Sequence, residues 1–140
     1  MICLSSILYK PNLNNLFVGN LFTKFCGGGL EFGEGTLECV KREFKEEMNL
    51  EIEVGEHFYT TDFFQESKFR NKEQVVSIYY FVKALEAIPE HLFQKNIDIE
   101  HINKSKLKQL FRWIDKEKFG PEIFQLPIDK VVAEKLMKQL

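Results

Sequence analysis

Between residues 36 and 48, Leu37, Val40 and Phe44 fall three and four positions apart, the spacing that puts apolar side chains on one face of a helix. Gly35 or Thr36 can cap its start, and Asn49 ends it. Upstream, residues 2–9 read as a strand closed by the turn-forming Pro11-Asn12 and Asn14-Asn15. Residues 16–18 and 21–25 are short apolar runs around Gly19-Asn20, again strand-like, before Gly27-Gly28-Gly29 breaks regular structure. Downstream, residues 50–54 alternate apolar and acidic positions, as a half-buried strand does. Residues 57–64 and 75–82 read as paired strands joined by the polar loop 65–74. The second is apolar almost throughout, which predicts a central place in a sheet. Residues 86–109 carry no firm periodicity, and 111–114 form a last short strand. Pro127 suits the first turn of a closing helix whose stripe is Ile128, Val131, Val132 and Leu136. Strands interspersed with two helices predict an α/β fold with helices packed on the faces of a mixed sheet.

Composition narrows this picture in a few places. A chain of 140 residues with no internal repeat or linker reads as one domain, 1–140. Its 14 Phe point to an aromatic-rich core and leave a homodimer open. A formal net charge of -2 argues against a nucleic-acid-binding module. The distribution is more telling, because residues 31–56 hold nine Glu against Lys41, Arg42 and Lys45. Carboxylates crowded in this way repel one another unless they are solvated or a cation sits among them. Cys3, Cys26 and Cys39 form no CxxC pair and no zinc spacing, so reduced thiols in the cytoplasm are expected. The apolar start lacks the basic residues of a secretory signal, and no run is long enough to span a membrane.

Within the acidic block, Glu43, Glu46 and Glu47 are related by i, i+3 and i+4, which stacks three carboxylates on one helix face. A solvated stripe would explain them if they stood alone. A hard divalent cation explains them better in context, because Mg²⁺ takes carboxylate oxygens together with waters and substrate phosphates. The glycines ahead of the helix let backbone groups approach a metal or phosphate closely. Glu34 precedes the helix and can fold back toward its N-terminal end. Arg42 is the only arginine of the block, and its guanidinium can grip a neighbouring carboxylate at two points.

These residues resemble the Nudix box, G-x5-E-x7-R-E-U-x-E-E-x-G-U, where U is a bulky apolar residue. Gly28, Glu34, Arg42, Glu43, Phe44, Glu46, Glu47 and Leu50 all fall on it in register, so the box spans 28–50. Asn49 stands where the box has its second glycine. That position needs a left-handed backbone, for which Asn is the next best residue. Cys26 stands where many members have Pro, a change expected to loosen the loop. Cys26 as a nucleophile is disfavoured, since no His lies near it in sequence. Phe111-Arg112-Trp113-Ile114 is similar to the family's late strand, and Leu126-Pro127-Ile128-Asp129 to the lead into its closing helix.

The resemblance implies an α/β/α sandwich around a central mixed sheet and Mg²⁺-dependent hydrolysis of a phosphoanhydride bond in a nucleoside di- or triphosphate derivative, with Mn²⁺ as a substitute. It implies Glu43, Glu46 and Glu47 as metal ligands with the Gly27 carbonyl, Arg42 orienting Glu43, and Glu34 supporting the loop or a further metal. Glu43 is the favoured general base and Glu47 the runner-up; Asp98 and Glu100 are the later-loop candidates. Phe63, Phe64, Tyr59 and Tyr79 are read as core or dimer packing in preference to a base-stacking platform. His57, His91 and His101 are read as ordinary surface or partly buried residues, and Arg70, Lys72 and Arg112 as solvated charges. The implied partner is a small nucleotide, with no nucleic acid and no membrane. Markers of ADP-ribose, dinucleoside-polyphosphate and coenzyme A hydrolases are missing downstream, which leaves a general NDP-X or NTP pyrophosphohydrolase. The rival is a nucleotide sensor with the same fold that binds without cutting, a class that usually loses box carboxylates. RNA decapping is disfavoured by the charge balance, and isoprenoid-diphosphate isomerisation by the length.

Overall fold

A computed structural model describes residues 4–9, 21–67, 71–94, 109–114 and 116–139. In chain order its elements are β1 (Leu4–Tyr9), β2 (Leu21–Phe25), α1 (Thr36–Met48), β3 (Ile52–Thr60), β4 (Ile78–Ala84), β5 (Phe93–Gln94), β6 (Gln109–Trp113) and α2 (Pro127–Met137). The apolar runs expected at 16–18 lie outside the described residues.

Helix α1 begins at Gly35, whose backbone N–H donates to Glu38 Oε2 at 2.5 Å. A carboxylate in the first turn also complements the helix dipole. The helix stops at Asn49, which takes the left-handed conformation (φ 53) expected of that position. The turn is closed by Asn49 N–H to Lys45 O at 2.9 Å and Leu50 N–H to Phe44 O at 3.3 Å. Phe44 and Met48 are buried and Val40 packs beside them, whereas Leu37 is 48% exposed. The expected core role of Leu37 is therefore corrected. It sits in the first turn, past the end of the sheet-facing stripe, while Met48 supplies the contact one turn below Phe44.

The sheet runs β2-β1-β6-β5, antiparallel at β1/β2 and β1/β6 and parallel at β5/β6, so it is mixed. Its two faces carry different cores. Phe111 is buried with Phe44, Met48, Leu50 and Ile52, and Trp113 packs against this cluster. Phe25 stacks on Phe124 at 4.7 Å between centroids and lies against Val132, Ala133 and Leu136. With α1 in one cluster and α2 in the other, the architecture is an α/β/α sandwich.

β3 and β4 form a separate antiparallel pair. The segments read as two strands, 50–54 and 57–64, are one strand with register shifts between Val54 and His57 and between His57 and Tyr59. Alternation along the strand gives the pair two faces, so Ile52 and Val54 join the α1 cluster and Tyr59 the α2 cluster, as Val82 and Tyr79 do on β4. The central place expected for 75–82 is also corrected. β4 starts only at Ile78, and among the described residues it pairs with β3 alone. Val76 is 62% exposed, so the apolar run reflects a strand shared between two small clusters and not one buried on both faces. The polar 65–74 connection continues the hairpin through a Glu66–Gln74 bridge.

Helix α2 starts at Pro127 as expected. Its buried face is Ile128, Val132, Ala133 and Leu136, with Val131 packed at the margin. It also buries Asp129, which is only 4% exposed. Tyr79 O–H donates to Asp129 Oδ1 at 3.1 Å. Burial pushes the Asp129 carboxyl up from 3.8 to about 6, against the pull of Tyr79, the Lys24 charge and the Phe25 backbone N–H. A carboxyl whose folded pKa lies above its unfolded value binds more protons in the fold. Its stabilising share is therefore complete below about pH 4 and lost as pH rises through about 6. From about pH 4 to about pH 7.5, Asp129→Asn should gain about 2–3 kcal/mol relative to the parent protein. Urea unfolding at both pH values reads this, and a difference that stays constant with pH contradicts it.

Candidate functional site

After β2, the chain crosses from Cys26 to Gly35 and enters α1, which brings the glycine loop over the carboxylate face of the helix. Gly27 (φ 132) and Gly33 (φ 96) hold backbone conformations that side chains rarely adopt. Gly28 serves a different need. A Cβ built there would overlap the Glu43 carboxylate, so a larger residue at this position would force that side chain to move. The N-terminal end of α1 is tied to β4 by Thr36 Oγ1 and Tyr80 Oη at 2.7 Å.

Arg42 is the hub. Its Nε and Nη2 donate to the two oxygens of Glu34 at 2.9 and 2.7 Å, a two-point grip. Its Nη1 donates to Glu43 Oε1 at 2.9 Å and to Glu46 Oε2 at 3.1 Å, and Nη2 also reaches Gly29 O at 3.0 Å. Glu31 N–H donates to Glu34 Oε1 at 2.8 Å, so Glu34 links the loop to the arginine. The Arg42 guanidinium holds the Glu34 carboxyl down from 4.5 to about 2, and Glu34 in turn raises Arg42. The group stays ionised throughout the physiological range.

Glu43, Glu46 and Glu47 share one stretch of α1 as their spacing requires. Glu43 is largely covered, Glu46 is solvent-facing, and Glu47 Oε2 is buried. Among the described residues, no three or more His, Cys, Asp or Glu side chains converge into a ready-made metal cage. Arg42 draws Glu34, Glu43 and Glu46 about its own charge, as like-charged carboxylates do around a fixed cation. The donor set still fits a hard divalent ion. All its donors are oxygens, and Mg²⁺ needs only one or two direct carboxylates beside its waters. The Gly27 carbonyl, expected among the ligands, accepts a hydrogen bond from Lys24 Nζ at 2.7 Å.

Two contacts here escaped the sequence reading. Lys24 reaches forward three residues to that carbonyl, and nothing in a lone Lys on a strand announces it. Cys39 lies buried under the hub, its Sγ 3.5 Å from Gly29 O and 3.6 Å from Arg42 Nη2. Burial raises the Cys39 thiol pKa. Cys26 packs beside the α1 cluster, and neither cysteine forms a disulfide.

Tyr59 and Tyr79 lie in or against the core as expected, but Phe63 (38%) and Phe64 (75%) are exposed in this chain. They follow the end of β3, where strand alternation no longer turns them inward. Arg112 is half-buried and donates to Thr23 Oγ1 at 3.1 Å, so it is not a solvated charge. Lys72 is exposed, and so are His57 and His91. Asp98, Glu100, Arg70 and His101 lie outside the described residues. No helix among the described residues is long and apolar enough to cross a membrane.

A family model described as NUDIX domain matches residues 10–136. No curated protein matches the chain.

Proposed function

Because the chain belongs to the Nudix family, we propose that it hydrolyses a phosphoanhydride bond in a nucleoside di- or triphosphate derivative, of NDP-X or NTP type, with Mg²⁺ bound or Mn²⁺ in its place. The observation that carries this reading is the Arg42 hub, which joins Glu34, Glu43 and Glu46 beside Gly28, where a Cβ would displace the Glu43 carboxylate. An acidic stripe selected only for solubility has no use for that construction.

Glu43, Glu46, Glu47 and the Gly27 carbonyl would hold the metal. When bound, the ion supplies neutralisation of charge on the bridging and leaving oxygens. Arg42 sets the orientation of Glu43 through Oε1, and a carboxylate has lone pairs to spare for a second partner. Glu43 accepts the proton of the attacking water, with Glu47 next in line. Glu34 anchors the loop through Glu31 N–H and keeps Arg42 aimed. The reading keeps the protein in the cytoplasm, where three cysteines without CxxC or zinc spacing are expected as reduced thiols. It keeps a homodimer, which the exposed Phe63 and Phe64 support and sedimentation would measure.

A panel of nucleotides with Mg²⁺, read by mass spectrometry, tests the reaction and identifies the bond cut. Water should enter one phosphorus of a diphosphate link, and EDTA should stop the reaction. Tight nucleotide binding without any product across the panel would turn the reading to a sensor.

A further inference from the structure

We propose that Lys24 is a resident counter-cation of the candidate metal site, and that a divalent ion takes the Gly27 carbonyl oxygen only by displacing the Lys24 ammonium. The inference rests on the metal-site reading above and adds a residue that the Nudix box does not contain.

Lys24 lies on β2, three residues before Gly27, and its Nζ stands 2.7 Å from that carbonyl oxygen. The φ of 132 at Gly27 belongs to the turn that brings the carbonyl within reach of its own strand's lysine. The side chain is half-buried, so its charge is less screened than a surface charge. A carbonyl oxygen has two lone pairs and can in principle accept two partners. With an ammonium on one and a divalent ion on the other, the two cations would stand only a few ångströms apart, with little water between them. One of them must leave, and the ammonium is the one on a flexible stem.

The Lys24 charge also lowers the Asp129 carboxyl on α2, which Tyr79 O–H holds at 3.1 Å, so an ammonium displaced from the carbonyl stays within the field of that acid. Lys24 here is a positioning residue, acting on a ligand atom and not on substrate.

Mn²⁺ binding, followed by the electron paramagnetic resonance of the free ion, tests this without reference to turnover. Lys24→Met keeps the length of the side chain and removes its charge. It should bind Mn²⁺ about tenfold more tightly than the parent protein. Lys24→Arg, which keeps the charge, should stay near the parent value. Circular dichroism confirms folding, and Lys24→Gln carries the neutral arm if the Met variant does not fold. Unchanged or weaker Mn²⁺ binding in the neutral variant overturns the inference while leaving the site intact. Failure of the parent protein to bind Mn²⁺ at all overturns the site itself, and the inference with it.

Discussion

Glu46→Gln and Glu47→Gln should each lower turnover by about a hundredfold or more, with little change in the unfolding midpoint. Glutamine keeps the shape of glutamate but loses the charge that makes it a ligand for a hard cation. Stability should hardly move, for reasons that differ at the two positions. Glu46 is solvent-facing, and its bond to Arg42 Nη1 at 3.1 Å is an exposed pair that contributes little to stability. At Glu47 the isosteric amide fills the space around the buried Oε2, and easing the i, i+4 repulsion from Glu43 offsets part of what losing the charge costs. Steady-state kinetics beside thermal unfolding separates chemistry from folding. Near-normal turnover in both variants would defeat the roles assigned to these carboxylates.

Arg42→Lys should be nearly as damaging, although the charge is kept. One ammonium cannot replace a planar fork that meets both oxygens of Glu34 and also reaches Glu43, Glu46 and Gly29 O. Residues that orient metal ligands typically cost about 10–100-fold in affinity or rate when replaced, and that is the expected fall in kcat. Mn²⁺ affinity should weaken in parallel, because Glu43 and Glu46 lose the group that orders them. A purely structural arginine would lower the melting temperature and leave the Mn²⁺ affinity of the folded fraction unchanged. That result would remove Arg42 from the site.

The site was legible from the chain to an unusual extent because most of it is local. Arg42, Glu43, Glu46 and Glu47 lie on one helix of known pitch, so their spacing already states that they share a face. The left-handed turn at Asn49 was equally readable, since it depends on a helix end and a residue type. Less could be read where the outcome depends on what another segment brings. Leu37 fits the helical spacing as well as Phe44 does, yet it is exposed because the packed layer ends below it. The run at 75–82 is apolar enough for a central strand, but hydropathy cannot count partners, and β4 has one among the described residues. The two residues of β5 are too few to carry any period. Phe119 and Phe124, both core residues, sit in irregular chain where no periodicity singles them out.

The sequence by itself determined the family pattern, the helix that carries the acids, the alternation of strands with two helices, and where the glycines must be. All of these follow from interactions within a few residues, which spacing encodes directly. Only the tertiary structure decided that Asp129 is buried beneath Tyr79, that Glu34 returns to grip Arg42, and that Lys24 occupies the Gly27 carbonyl. Each of these pairs a charged group with a partner delivered by a turn or by another element. The energy of a charge depends on which partner and how much water it meets, and a linear pattern of residue types records neither.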